Sequence, residues 1–197
     1  MSSAIIIFVR NPEWGKVKTR LAATVGNNKA LEIYIQLLEH TLNITKDLAA
    51  HKYVFYADAI PDDDLWKEAG YHRLLQSDGD LGTKMRLAFQ TLFANGYKNI
   101  IIIGSDCIEL TPRILENAFG QLETHDVVIG PANDGGYYLL GMKGLHESFF
   151  QNKAWSTGEV YTATVADFNS LQLSFYSLPV LIDIDTEEDW NAVIKKG

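Results

Sequence analysis

Hydrophobic residues fall in short blocks separated by polar turns, and the blocks alternate between two periods. Residues 4–9 (AIIIFV) and 99–104 (NIIIIG) are apolar at consecutive positions, the pattern of central strands covered on both faces. After the first run, residues 10–20 (RNPEWGKVKTR) are polar, with Pro12 and Gly15, and read as a loop. Residues 28–48 then place Leu31, Ile35, Leu38 and Leu42 at helical spacing. Strand, loop and helix form the first unit. Residues 53–56 read as a strand, Pro61 opens a short acidic helix with Asp62, Asp63 and Asp64 in its first turn, and residues 72–75 read as another strand. An amphipathic helix runs from Gly79 to Asn95 and ends at Gly96. The second apolar run leads into the polar turn Ser105-Asp106-Cys107 and a helix opened by Thr111-Pro112.

Residues 126–130 and 137–142 are strands separated by a tight turn, so an antiparallel element enters the sheet. Residues 156–170 read as helical, residues 172–177 and 180–184 as strands, and residues 186–195 as an N-capped helix. No repeat, low-complexity tract or linker interrupts the series. The pattern predicts one α/β domain over residues 1–197 with a mixed, mostly parallel sheet.

Composition narrows the function. Of 197 residues, 47% are hydrophobic and 21% charged, as in an ordinary folded protein, and the formal net charge of −8 disfavours a general grip on nucleic acid. A single cysteine, Cys107, excludes an internal disulfide framework and a multi-cysteine zinc site. The apolar run of residues 4–9 is shorter than the roughly 7–15 residues of a signal-peptide core and far shorter than a membrane span. A cytoplasmic protein without a membrane span is expected.

In open α/β sheets ligands bind beyond the carboxyl ends of the strands, so the residues that follow each strand are the candidates. Residues 10–20 gather Arg10, Lys16, Lys18 and Arg20 against one acid, Glu13, in an otherwise acidic chain. Such a loop can wrap phosphate with cations and backbone N–H groups, or it can be a solvated basic turn; it matches neither a Walker A loop nor a G-x-G-x-x-G fingerprint. Asp106, leaving the second apolar strand, is the first candidate for Mg²⁺ or Mn²⁺, because Thr111 already caps the next helix. Glu109 could assist it or face water. Cys107 beside a carboxylate has its thiolate disfavoured and reads as a packed cysteine.

Asn133-Asp134-Gly135-Gly136 is explained as a hairpin turn requiring positive φ, yet its glycines also permit close approach of backbone to a ligand, with Asp134 able to accept from sugar hydroxyls. Of Tyr137 and Tyr138, alternation sends one to the core and one toward the cleft. In Asp183-Ile184-Asp185-Thr186, Asp185 or Thr186 can cap the last helix, or Asp185 can add a second carboxylate to the ion site. Gly79 and Gly82 could admit a base or ribose near a helix start, where an N-cap explains them equally. Trp155 could stack on a ligand or serve as a buried staple.

The motifs R-N-P-E-W-G-K-V-K-T-R-L, G-D-L-G-T-K-M, I-G-S-D-C, G-P-A-N-D-G-G-Y-Y-L-L-G and D-I-D-T-E-E-D-W together resemble the glycosyltransferase-like family of the radical-SAM/selenobacteria-associated type, within the nucleotide-diphospho-sugar transferase (GT-A) superfamily. The resemblance spans nearly the whole chain. It implies a three-layer Rossmann-like GT-A fold, a nucleotide over the first strands, and a divalent ion, Mg²⁺ or Mn²⁺, at the superfamily's acidic motif, which falls on Asp106. Position 104 is Gly, so the full D-x-D is absent, and Ile108 stands where the family usually has Pro. K-V-K-T-R-L and D-I-D-T-x-x-D are also similar to 2-phospholactate guanylyltransferases and cytidylyltransferases. That similarity implies phosphate binding by Lys16, Lys18 and Arg20 and a late metal acid at Asp185; Arg10 and Thr19 of the same loop are further candidates for the phosphates.

The leading expectation is therefore a metal-dependent transferase using a nucleotide-diphosphate sugar. Asp106 and Asp134 would be catalytic, Gly79 and Gly82 would lie at the nucleotide, and Asp134, Gly135, Gly136 and Trp155 would contact substrate. Two alternatives stand beside it: nucleotidyl transfer to a small phosphorylated acceptor, and a noncatalytic nucleotide-binding module, for which the missing D-x-D and Ile108 speak. Its partners would be a nucleotide-activated donor and an acceptor that the sequence does not identify, as it does not identify the oligomeric state.

Overall fold

The two apolar runs become neighbouring strands at the centre of the sheet. In a computed structural model, which describes residues 2–195, β1 (Ser3–Val9) and β4 (Asn99–Ile103) pair in parallel, with Ile5 beside Ile101 and Ile7 beside Ile103. On the other side of β1 lie β2 (His51–Tyr56) and then β3 (His72–Leu75), both parallel. Beyond β4 comes β6 (Tyr137–Met142), antiparallel to both its neighbours, then β5 (Val127–Pro131) and β7 (Phe175–Ser177), parallel to β5. The order is β3-β2-β1-β4-β6-β5-β7.

Both faces of this sheet are covered, which is why its central strands need apolar residues at every position. Ile5, Ile7, Val54, Ile101 and Ile103 point into one core with Leu21 of α1 (Thr19–Val25), Ile33 and Leu37 of α2 (Asn27–Thr45), Trp66 of α3 (Leu65–Glu68) and Leu115 of α5 (Pro112–Thr124). Trp190 and Val193 of α7 (Glu187–Ile194) pack on its edge. Ala4, Ile6, Phe55, Ile100 and Ile102 point the other way, against Phe89 and Leu92 of α4 (Leu81–Ala94), Phe168 of α6 (Val160–Ser170) and Phe149 of the 3-10 turn Glu147–Phe150. The result is the expected three-layer arrangement with a mixed, mostly parallel sheet. Among the described residues, no helix is long and apolar enough to cross a membrane.

Several boundaries differ from expectation, each for a local reason. A short helix that was not expected, α1, precedes the one expected over residues 28–48, and Gly26, at φ 83°, separates it from α2. Pro61 does not open α3; Asp64 caps it, accepting from the N–H groups of Trp66 and Lys67 at 3.2 and 2.9 Å, so Asp62 and Asp63 precede the helix. Helix α4 begins after Gly79, with Asp80 as its cap. Helix α6 starts at Val160, after a turn in which Ser156 has φ 64°. In the region expected as strand from residue 172, Gln172 has φ 55° and β7 begins only at Phe175.

Residues 180–184 are not a strand, apart from an isolated bridge of Leu181 to Ala132. Their N–H groups are drawn elsewhere: Ile182 donates to the Glu109 carboxylate at 2.9 Å and Ile184 to the Asp106 carbonyl at 2.9 Å. Glu109 thus does not merely face water; one of its carboxylate oxygens fastens this segment.

Close packing of the antiparallel insertion depends on Gly141. A Cβ there would lie 2.6 Å from Val128 Cγ1 and 2.7 Å from Ile101 Cγ2, both in the sheet core. Gly141→Ala is expected to cost about 1–3 kcal/mol through overpacking, seen as a fall in Tm of roughly 2–10 °C. A thermal melt superimposable on the wild type would contradict this account of the β4–β6–β5 packing.

Candidate functional site

From β1 the chain builds β2 and β3 on one side, then crosses to β4 on the other. Strands β1 and β4 therefore flank the reversal of strand order, where open α/β sheets leave a crevice at the carboxyl ends of their strands. Arg10 leaves β1 at this crevice, and Gly104-Ser105-Asp106 leave β4. Tyr34 of α2 ties the two exits together. Its hydroxyl accepts from the Arg10 N–H at 2.8 Å, donates to the Arg10 carbonyl at 3.1 Å, and lies 3.5 Å from Ser105 Oγ. Burial, with the Asp106 charge beside it, raises the Tyr34 pKa and keeps the phenol protonated.

A cleft of about 710 Å³ opens above this junction. Its first wall is the basic loop, with Arg10, Lys16, Lys18, Thr19 and Arg20 all lining it. Lys18 and Lys16 are two residues apart and differ completely. Lys16 is 72% exposed and pairs with Glu13, whereas Lys18 is 6% exposed, its backbone turned into the left-handed region at φ 49° where α1 begins. That turn sends the Lys18 ammonium inward, to 2.8 Å from Asp106 Oδ1 and 3.2 Å from Asp185 Oδ1. Arg20 reaches the other oxygen of Asp185 at 3.7 Å. Burial lowers the Lys18 pKa, but Asp106 and Asp185 outweigh it and the ammonium is held above its ordinary value.

Asp185 arrives beside Asp106 because the segment after β7 is stitched across the sheet end. Leu178 donates to the Ile129 carbonyl at 2.8 Å, Tyr138 Oη to the Pro179 carbonyl at 2.9 Å, and Ile184 to Asp106 itself. Thr186, not Asp185, caps α7, and with Asp189 it forms a reciprocal capping box, leaving the Asp185 carboxylate to the cleft.

The opposite wall is the β5–β6 hairpin with the residues before α6. Asp134, Gly136, Tyr137, Tyr138 and Trp155 line it. One oxygen of Asp134 accepts from the Gly136 N–H at 2.9 Å, so the turn uses half of this carboxylate. Both tyrosines reach the cleft rim, Tyr138 being the more buried. Gly135 has φ 87° and backs onto Gly158, where a Cβ would lie 2.2 Å from the Gly158 carbonyl oxygen. Gly82 faces Trp155 similarly, since a Cβ would lie 2.5 Å from the indole and from the Phe150 carbonyl. The lining on α4 passes through Leu81, Lys84 and Met85, with Gly79, Gly82 and Gly135 outside it. Gly82 lets Trp155 seat against α4 and so shapes the cleft from behind.

Residues to which the sequence reading gave no site role also belong to this lining, among them Tyr34, Gln76, Lys84 and Asp183. Asp183 is the cleft carboxylate whose titration is displaced. Burial, then the charges of Asp106, Asp134 and Asp185, raise its pKa to about 7, with Lys18 opposing. Only the alternation of Asp183 with Asp185 hinted at this. Cys107 is buried and its thiol is pushed well up by burial and the Asp183 charge, as a packed cysteine should be.

The profile of a family described as "Uncharacterized protein conserved in bacteria (DUF2064)" matches residues 41–157, more than half of the chain. The chain belongs to this family. The DUF2064 chain is 34% identical to a Desulfovibrio desulfuricans G20 protein provisionally described as a nucleotide-diphospho-sugar transferase, whose crystal structure it matches at a TM-score of 0.91, covering 100% of this chain and 88% of that one. At 12% identity it shares its fold with the 4-diphosphocytidyl-2C-methyl-D-erythritol synthase of Anaerococcus prevotii DSM 20548 (TM-score 0.62, coverage 98% and 96%). At 13% identity it likewise shares the fold of Rv0371c from Mycobacterium tuberculosis H37Rv in complex with manganese (TM-score 0.58, coverage 100% of each chain). No functionally curated protein matches the sequence.

Two measurements test this electrostatic and structural reading of the DUF2064 cleft. Because the folded-state pKa of Asp183 is raised, the folded form binds a proton that the unfolded form has released between about pH 4 and 7; Asp183 therefore costs stability that grows through that window and is constant above it. Asp183→Asn is expected to raise Tm at pH 8 by roughly 2–8 °C, on the order of 1–2 kcal/mol after discounting for contact with water, and to change it little at pH 4. An equal offset at both pH values would refute the buried-charge assignment. Tyr34→Phe removes the acceptor of the partly buried Arg10 N–H and should cost about 1–2 kcal/mol in denaturant unfolding; a change below about 0.5 kcal/mol would remove Tyr34 as the tie between β1 and β4.

Proposed function

We propose that this protein is a divalent-ion-dependent transferase that takes a sugar from a nucleotide-diphosphate donor and passes it to an acceptor hydroxyl, acting as one domain over residues 1–197 in the cytoplasm. Its glycosyltransferase-like character would be of the radical-SAM/selenobacteria-associated type. The observation that carries the reading is the convergence of Lys18 and Arg20 with Asp106 and Asp185 at the strand-order reversal, within a cleft large enough for a nucleotide.

The residues present fit Mg²⁺ or Mn²⁺. Asp106 and Asp185 already surround one cation, the Lys18 ammonium, and their side chains remain 42% and 44% exposed toward the cleft. Carboxylate oxygens are the hard donors these ions take, and Mg²⁺ commonly uses one or two carboxylates with substrate phosphates completing its shell. That division suits a chain in which, among the described residues, no group of three or more His, Cys, Asp or Glu is arranged to hold an ion. When bound, the ion would neutralise charge that develops on the leaving diphosphate.

The protein's own groups would do the rest. Arg10, Lys16, Lys18, Thr19 and Arg20 bind the donor's phosphates, and Gly79 and Gly82 set the α4 end of the nucleotide subsite. Trp155, Gly135 and Gly136 bound the sugar and acceptor side. There the second oxygen of Asp134, the one the turn does not use, would accept the proton of the attacking hydroxyl as a new bond forms to the sugar carbon and nucleoside diphosphate departs.

A second reading, nucleotidyl transfer from a nucleoside triphosphate with loss of pyrophosphate, is supported by one specific observation: Lys18 and Arg20 of the basic loop meet Asp185, so the two features that resemble guanylyl- and cytidylyltransferases lie at one place.

Incubation with panels of nucleotide sugars and nucleoside triphosphates, with either ion, separates the readings by product. Nucleoside diphosphate release is expected, pyrophosphate release would establish the second reading, and ligand-induced melting shifts without any turnover would leave a binding module. Asp106→Asn is expected to weaken Mn²⁺-dependent nucleotide binding at least about 10-fold while preserving the melt. Unchanged affinity removes Asp106 from the site.

A further inference from the structure

The Lys18 ammonium stands where the proposed ion would stand. It touches Oδ1 of Asp106 and Oδ1 of Asp185, and it is the only cation whose ion pairs join the two carboxylates among the described residues. A divalent ion binds carboxylate oxygen at about 2.0–2.6 Å, closer than the 2.8 and 3.2 Å of the ammonium contacts. Ion and ammonium on the same pair of oxygens would be like charges nearly in contact, in a partly buried setting where screening is weak. Binding through the other oxygens gives little relief, because Oδ2 of Asp185 already faces Arg20 at 3.7 Å. An ion that takes the carboxylate oxygens facing Lys18 competes with the ammonium for them.

We propose that the Lys18 ammonium and the divalent ion are alternative occupants of the space between Asp106 and Asp185, so that loading the ion expels Lys18 into the cleft, where it becomes available to phosphate. The inference rests on the metal-dependent reading above. It accounts for two features that a simple phosphate-binding lysine does not require. One is the near-complete burial of Lys18, in contrast to Lys16 on the same loop. The other is its left-handed backbone at the start of α1, which aims the side chain at the carboxylates and not at open solvent. The exchange is also balanced in charge. With Lys18 in place the pair keeps one net negative charge; with a divalent ion it keeps none, and the released ammonium adds a positive charge on the side where a diphosphate would lie. Metal and nucleotide would then bind cooperatively with Lys18 as the link, since phosphate stabilises the expelled ammonium and so favours the ion.

The test uses the full chain and Mn²⁺ alone. Amine acetylation at limiting reagent, read residue by residue by mass spectrometry, should label Lys18 slowly in the ion-free protein and at least about 5-fold faster at Mn²⁺ concentrations that electron paramagnetic resonance shows to be saturating, while exposed Lys29 is unchanged. Lys18→Met should bind Mn²⁺ about 10-fold tighter than the wild type, whereas Lys16→Met, which removes the same charge from the same loop, should change the affinity less than about 2-fold. Bound Mn²⁺ with unaltered or slower Lys18 labelling overturns the exchange and leaves the metal-dependent reading standing, as does equal tightening in the two lysine variants. Failure of the wild type to bind Mn²⁺, with or without nucleotide, or binding that survives Asp106→Asn, overturns the metal site and the exchange together.

Discussion

One buried ammonium determines how this protein's cleft is assembled. Lys18 and Asp185 are 167 positions apart, yet the contact between them, shared with Asp106, brings the first loop, the turn after β4 and the segment before α7 to one point. Each of those pieces is irregular backbone that could take other paths. A charge removed from water tolerates few alternatives, because a buried ammonium or carboxylate without its partner is strongly disfavoured. The ion pairs therefore contribute less to net stability than to uniqueness: they fix which loop meets which.

The sheet topology makes that meeting possible. Reversal of strand order between β1 and β4 leaves their carboxyl ends side by side without a helix crossing over them, and Tyr34 closes the gap beneath by bonding the backbone after β1 while lying beside Ser105. The antiparallel β6 then does what another parallel strand could not. By returning directly from β5 through a short hairpin, it places Asp134 and Gly136 across the cleft from the basic loop. Residues 178–185 follow the end of β5 and cross to Asp106, exchanging ladder hydrogen bonds for bonds to Glu109 and to the Asp106 carbonyl.

Much of this was legible in the chain and some of it could not be. The central strands declared themselves because two-sided burial demands unbroken apolar runs, and Thr111-Pro112 and Thr186 declared helix starts through cap chemistry that depends on neighbouring residues alone. Helix α1 was obscured because, of its seven residues, only Leu21 is buried, which leaves no periodicity to detect. Residues 180–184 looked like a strand because alternation records which side chains are buried and not which groups their N–H donors choose. The cleft residues divide in the same way. Basic character marked the loop of residues 10–20 as a unit, but nothing in the sequence distinguishes Lys18 from Lys16; the difference is one left-handed backbone and the acids it faces, set by contacts with residues more than 80 positions away. Gly82 was marked as permissive for close approach, and its missing side chain admits the Trp155 ring, which no sequence pattern foretold.

The accumulation of acid in this cleft sets its remaining requirement. Asp106, Asp134, Asp183 and Asp185 all line it, and burial, with the charges of the other three added to it, lets Asp183 hold its proton to about neutrality. Lys18, buried between two of the four carboxylates, cannot neutralise the set, and Arg20, 71% exposed and 3.7 Å from Asp185, is screened by water. The cleft also carries Arg10, Lys16 and Lys84, so acids and cations line it together, and a cation entering alone between Asp106 and Asp185 would meet Lys18. Under the proposed function, a divalent ion accompanied by the phosphates of a nucleotide satisfies both sets of charge, since the ion takes the carboxylates and the phosphates take the cations. On that proposal, ion and nucleotide would favour each other's entry through the placement of one lysine between two acids, without a separate gating element.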